Sequence, residues 1–278
     1  MEERSNAIVP KRDISGLPAV PEYLRVDHDD TIDQLKEYVR PPRIKVVQAL
    51  SDTELVDDFG VGSVVLLPQG LCVMEMKFDE KARPKPDQVE PMLFTPLFFF
   101  AEFVCWNPRD LKGSVNAIRD RSFDPNSDVA MRARDPRARV APYPEDSNYE
   151  IQYAEHMNFI VKIQGIDDPC VLSFARSEFS VGQRFAGMAK MRSQKGCPLY
   201  AGVYAAHIGH RINTKGNWYG LDITNPPEDI SPFVGPEEAE INKKLYEEFK
   251  EQHAEALIRV DYEDESVNSA PSEAADTM

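Results

Sequence analysis

The fifteen residues from Met92 to Trp106, MLFTPLFFFAEFVCW, constrain the fold more than any other part of the chain. The run is too short to cross a bilayer, which takes about 20 apolar residues, and it contains Pro96 and Glu102. It predicts one or two buried strands, interrupted near Pro96 because proline cannot donate to a strand ladder. At 278 residues and 42% hydrophobic content, the chain can bury a sizeable core around such strands.

Further strand signals lie on both sides. Arg43 to Gln48 alternates basic and apolar residues, as a half-buried strand does. Ser63 to Leu67 and Leu71 to Met76 flank Pro68-Gln69-Gly70 and read as a hairpin. Tyr149 to Tyr153, Met157 to Ile163 and Cys170 to Phe174 continue the pattern. Leu199 to Ile208 and Trp218 to Ile223, joined through the Lys215-Gly216-Asn217 turn, form the clearest pair. Between the strands, Asn107 to Ser147 is rich in Arg, Asp and Pro and reads as a long excursion from the sheet. Val181, Phe185 and Met188 fall at helical spacing and predict a helix from Ser180 to Met191.

The expected organisation is an N-terminal extension over 1–39, a β-rich core over 40–228, an amphipathic helix over 236–259 and a disordered acidic tail over 260–278. In the extension Asp30 caps a short helix from Thr31 to Tyr38 that Pro41-Pro42 stops. The C-terminal helix carries an Ile241, Leu245, Phe249 stripe and opens on Pro236, where a first turn tolerates proline. Many short strands with few helices predict a mostly-β (α+β) barrel or sandwich with loop insertions.

Charge is distributed unevenly. Residues 237–278 hold thirteen acids and four bases, a net of −9 out of −15 for the chain. Leu172 to Asn217 holds seven bases against the single acid Glu178, a net of +6. The chain is thus a basic body segment with an acidic end, which can occupy a cationic groove or recruit basic partners.

Signals for catalysis are weak. The sequence has no GxxxxGK[ST] loop, HExxH, CxxC or GxSxG motif. His207 and His210 are three apart, which on a strand puts them on opposite faces. Asp27-His28-Asp29-Asp30 reads as capping and solvation rather than a metal site. Cys72, Cys105, Cys170 and Cys197 are scattered, as expected of free thiols in a reducing compartment. The polar N-terminus shows no secretory signal, so a cytoplasmic location is expected. No cofactor and no metal are expected.

Signals for binding are stronger, because the basic segment is interleaved with aromatics. Single-stranded nucleic acid is held by cations along its phosphates and by aromatic faces on which bases stack, each stack worth roughly 1–3 kcal/mol. The candidate residues are Arg43 and Lys45 on the first strand, then Arg176, Arg184, Lys190, Arg192 and Lys195. The last hairpin adds Tyr200, Tyr204, Arg211, Lys215, Trp218 and Tyr219.

These residues carry a resemblance. Pro41 to Gln48 (PPRIKVVQ), the Leu97 to Phe100 strand running to Trp106-Asn107-Pro108-Arg109, and the final hairpin are similar to bacteriophage single-stranded DNA-binding proteins over roughly residues 40–225. The resemblance implies an OB-like barrel and an acidic C-terminus that modulates binding or recruits replication or recombination proteins. Tails of that class commonly end on an aromatic or apolar residue, whereas this chain ends Ala274-Ala275-Asp276-Thr277-Met278. The leading expectation is a non-enzymatic accessory protein that coats single-stranded DNA and needs no membrane. The alternative is a phage structural or host-interaction protein that binds only proteins, through a helix such as the Ile241/Leu245/Phe249 one. A nuclease built on Asp120, Asp124 and Asp128 is the third and weakest.

Overall fold

The computed structural model describes residues 40–81, 83–108, 118–214 and 216–262. The Thr31–Tyr38 helix, the Asp27–Asp30 cluster, Lys215 and the tail beyond Tyr262 lie outside the described residues.

Two long antiparallel strands form the spine, β4 (Met92–Trp106) and β7 (Asp146–Ile163). Each takes different partners along its length. β9 (Tyr204–Asn213) pairs the start of β4 and β5 (Ile118–Ser122) pairs its end. β6 (Val140–Tyr143) pairs the start of β7 and β8 (Cys170–Ala175) its second half. β10 (Gly216–Thr224) extends the sheet beyond β9. β1 (Arg43–Val46), parallel to β8, leads to β2 (Val64–Leu67) and β3 (Leu71–Met74) at the other end. The order is β10-β9-β4-β7-β8-β1-β2-β3 in one mixed sheet.

This sheet curls into a half-barrel. The Gln48 side-chain amide bonds the backbone of Tyr219 in β10 twice, Nε2 to the carbonyl at 2.7 Å and Oε1 from the N–H at 3.0 Å. A side chain thereby stands in for a strand pairing across the gap between β1 and β10.

Pro96 does not split the apolar run. The strand continues through a bulge at Pro96–Phe98, the place a ladder can accept proline. The extra residue reverses the facing of the side chains beyond it. Phe94 lies in one hydrophobic cluster, whereas Leu97, Phe100, Val104 and Trp106 lie in another on the opposite side of the spine. The first cluster draws on β1–β4 and β7–β10 and is filled by Val181 and Phe185 of α3 (Phe179–Ser193). Phe185 is fully buried among Phe94, Phe159, Phe174 and Tyr204. The second cluster is covered by Phe249 of α4 (Pro236–Ala254) and by Ile258, Val260 and Tyr262. A third packs α2 (Asp128–Arg134) on Phe103, Cys105 and Ile151.

The protein is mostly β with a C-terminal helix, and several local expectations need correction. The excursion after Asn107 carries β5, α2 and β6, where Ser127 caps α2 by accepting from the Ala130 N–H. Tyr149–Tyr153 and Met157–Ile163 are parts of one strand. Leu199–Ala201 is a 3-10 turn and the strand starts only at Tyr204. The C-terminal helix ends at Ala254, and its stripe is uneven, with Ile241 exposed and Phe249 buried. A short helix, α1 (Thr53–Phe59), links β1 to β2.

The largest correction concerns the acidic end. Residues 257–262 form a strap across the second cluster, with Ile258, Val260 and Tyr262 at 3%, 0% and 0% exposure. Alternate apolar residues in an extended segment bury one side, so the chain stays in the core past Val260. No helix among the described residues is long and apolar enough to cross a membrane.

Candidate functional site

The candidate binding residues divide among three settings. The first is one face of the β9–β10 hairpin. Arg211 donates to both carboxylate oxygens of Asp222, at 2.9 Å each, and approaches Glu178 at 3.4 Å. Trp218 Nε1 donates to the other Glu178 oxygen at 3.1 Å, and Arg184 reaches Asp222 at 3.6 Å. The paired glycines Gly209 and Gly220 make this possible. A Cβ at Gly220 would collide with the Glu178 carboxylate, and one at Gly209 with the Arg211 guanidinium. Arg211 and Trp218 are therefore committed to partners within the fold, in a bidentate geometry that suits guanidinium and carboxylate.

The other face of the hairpin is apolar and aromatic. Ile208 and Leu221 are buried, Tyr219 and His210 stack at 4.9 Å, and Ile212 is 76% exposed.

The second setting surrounds the end of α3. Arg192 stacks over Tyr204 at 4.2 Å and donates to the carbonyls of Val203 and Pro232 and to Asn225 Oδ1. It ties the 225–233 loop to the body, and Tyr204 beneath it is only 2% exposed. Tyr204 offers no face to a base, which corrects its assignment as a stacking residue. Tyr200 packs against Tyr246 of α4. Arg184, Lys190 and Lys195 remain exposed.

The third setting lies in the second cluster. Arg43, 6% exposed, sits over the Tyr262 ring, and Arg176 over Trp106. The Lys45 ammonium is buried too.

A polar centre occupies this third setting. Glu102, His156 and Asn158, on adjacent strands, are each wholly buried. The Tyr262 hydroxyl lies 3.0 Å from Glu102 Oε2 and accepts from Asn158 Nδ2 at 2.9 Å. Arg121 on β5 approaches Glu102 Oε1 at 3.2 Å and donates to the Val260 carbonyl. His156 packs on Tyr262 at 4.4 Å between ring centroids, with its Nδ1 3.4 Å from Ser173 Oγ. Burial pushes the Glu102 carboxyl above the usual carboxylate range, against the opposing pull of Arg121 and the Tyr262 hydroxyl. Trp106 Nε1, buried alongside, has no acceptor among the described residues.

In the sequence, Glu102 counts only against a membrane span. A single carboxylate inside fifteen mostly apolar residues was the one available signal for this centre. With Tyr262 seated, Glu102, His156 and Asn158 have no contact with solvent, so the arrangement works as a lock for the strap. Among the described residues no group of three or more His, Cys, Asp or Glu is placed to hold a metal ion, the Asp120, Asp124 and Asp128 region included.

A family model described as Pam3 phage gp34-like protein matches residues 86–255, more than half of the chain. No curated protein and no solved structure matches.

Proposed function

Because the chain belongs to the Pam3 phage gp34-like family, we propose that it serves its phage by binding other proteins, as a structural or host-interaction component rather than an enzyme. The observation that carries this is the division of labour on the hairpin. Its charged face is spent on internal ion pairs, while its apolar face runs from the buried Ile208 through Tyr219 and His210 to the exposed Ile212. An exposed apolar end on an aromatic base is the kind of surface that docks on a protein partner. The test is capture from phage-infected lysate after nuclease treatment. The full chain should retain a partner that Ile212→Asp loses while its circular dichroism stays unchanged. Identical capture by both chains, or none by either, would sink this reading.

A second reading keeps single-stranded DNA as the ligand. It rests on Arg184, Lys190 and Lys195, exposed along α3 and the turn after it, and takes the curled sheet as an OB-like barrel. The acidic residues after Tyr262 then modulate binding or recruit replication or recombination proteins. It requires that a chain ending at Tyr262 shift oligo-dT in a gel at low salt, and that binding weaken as salt rises. Absence of any shift at low salt rejects it. On either reading the expected place of action is the cytoplasm of the host cell.

A further inference from the structure

The join between α4 and the strap is bent in an unfavourable way. Ala256 has φ of 57°, the left-handed region where a β-carbon crowds the backbone. Its N–H bonds the His253 carbonyl at 3.0 Å, and the Leu257 N–H bonds the Gln252 carbonyl at 2.9 Å. This is the Schellman closure of a helix, with alanine at the position that glycine usually takes.

Past this hinge, the strap is not a member of the sheet. Side chains seat it: Ile258, Val260 and Tyr262 go inward, and the Arg121 guanidinium holds the Val260 carbonyl. The cleft that receives Tyr262 is built from Glu102, Trp106, His156 and Asn158, on strands distant in sequence from the strap. The cleft therefore belongs to the body of the fold, whichever strap fills it.

A strained hinge, a self-contained plug and a cleft supplied by the rest of the fold are the conditions under which identical chains exchange a segment. Each strap contact can be remade in a second copy, and extending the hinge releases the strain at Ala256. We propose that the Tyr262 cleft is an interface between copies of this chain, in which the strap of one copy seats in the cleft of another. Such an exchange gives the protein-binding reading one specific partner, a second copy, and does not rest on the hairpin.

Arg40 and Asp261 mark body and strap at the surface, forming a half-exposed ion pair of 2.9 Å. Arg40→Cys and Asp261→Cys are placed in separate full-length chains whose Cys72 and Cys197 are serine. The chains are mixed and treated with a short bis-maleimide, which bridges gaps that a disulfide cannot. The expected result is a covalent heterodimer that needs both variants, grows with protein concentration, and falls several-fold when both chains carry Ala256→Gly. A single chain with both cysteines, kept dilute, should cross-link within itself. That control combined with no heterodimer from the mixture overturns the proposal.

Sedimentation of the unlabelled full chain asks the same question without a reagent. A dimer fraction reduced by Ala256→Gly is expected. A chain that stays monomeric at every concentration, or a dimer indifferent to that substitution, overturns exchange. Ile212→Asp should leave exchange intact, so the hairpin reading and this one fail separately.

Discussion

Glu102 occupies a strand position between Ala101 and Phe103, and the groups around it explain how a carboxylate is kept there. A buried polar group is tolerated when every partner is present and is expensive when one is removed. The Tyr262 hydroxyl has one proton, so it donates to Glu102 while accepting from Asn158. Tyr262→Phe keeps the ring between His156 and Trp106 but leaves both groups short of a partner. It should cost about 1–3 kcal/mol, read as a lower urea midpoint at unchanged m-value. The raised carboxyl of Glu102 gives a second test. Because the folded state holds this proton to higher pH than the unfolded chain, stability from this group is fullest at low pH. It declines as pH rises from the ordinary carboxylate range through the raised folded value. Glu102→Gln has no such loss, so its stability relative to the wild type should climb across that window and then level off. Urea midpoints over a pH series check this, and a constant difference would mean that Glu102 titrates as an ordinary carboxyl.

At the scale of elements, the half-barrel depends on a side chain acting as a strand. Gln48→Ala removes both bonds to Tyr219, uncoupling β10 from β1. Hydrogen exchange of the Tyr219 amide should accelerate by roughly tenfold, with little change at Ala205 or Ala206, where β9 pairs β4. Elements with their own apolar period were legible in the sequence: the β2–β3 hairpin, α3, and the β4 run, whose irregularity at Pro96 is a bulge within one strand and not the expected interruption. β5 and β6 were not, because they attach to the spine through backbone pairing while their side chains stay half or fully exposed, so no alternation marks them. Two of the candidate binding residues misread for a related reason. Arg211 reads as a free cation when only Leu172 to Asn217 is counted, yet Asp222, its main partner, lies just past that window and meets it only through the hairpin register. Tyr204 reads as an available ring until Arg192 is folded over it.

Over the whole molecule, the acidic end has two parts that net charge cannot separate. The stretch from Glu237 onward holds a net of −9, yet within it Phe249, Ile258, Val260 and Tyr262 complete the second cluster. Apolar side chains spaced among carboxylates are what keep the chain on the body, and the boundary of that attachment is placed by burial rather than by charge. Two truncations make the distinction measurable. A chain ending at Tyr262 loses residues 263–278, five of them acids, and keeps Ile258, Val260 and Tyr262. A chain ending at Leu257 also loses Ile258, Val260 and Tyr262, each worth about 1.5–3 kcal/mol of burial, and leaves Glu102 facing an emptied cleft. Against the roughly 5–15 kcal/mol that ordinarily holds a domain together, that is a large fraction. The Leu257 chain should therefore melt far below the Tyr262 chain, at any ionic strength, because the lost term is apolar burial and not charge. If the two melt together, or if their difference disappears in high salt, the strap is held by its charges and the second cluster closes without it.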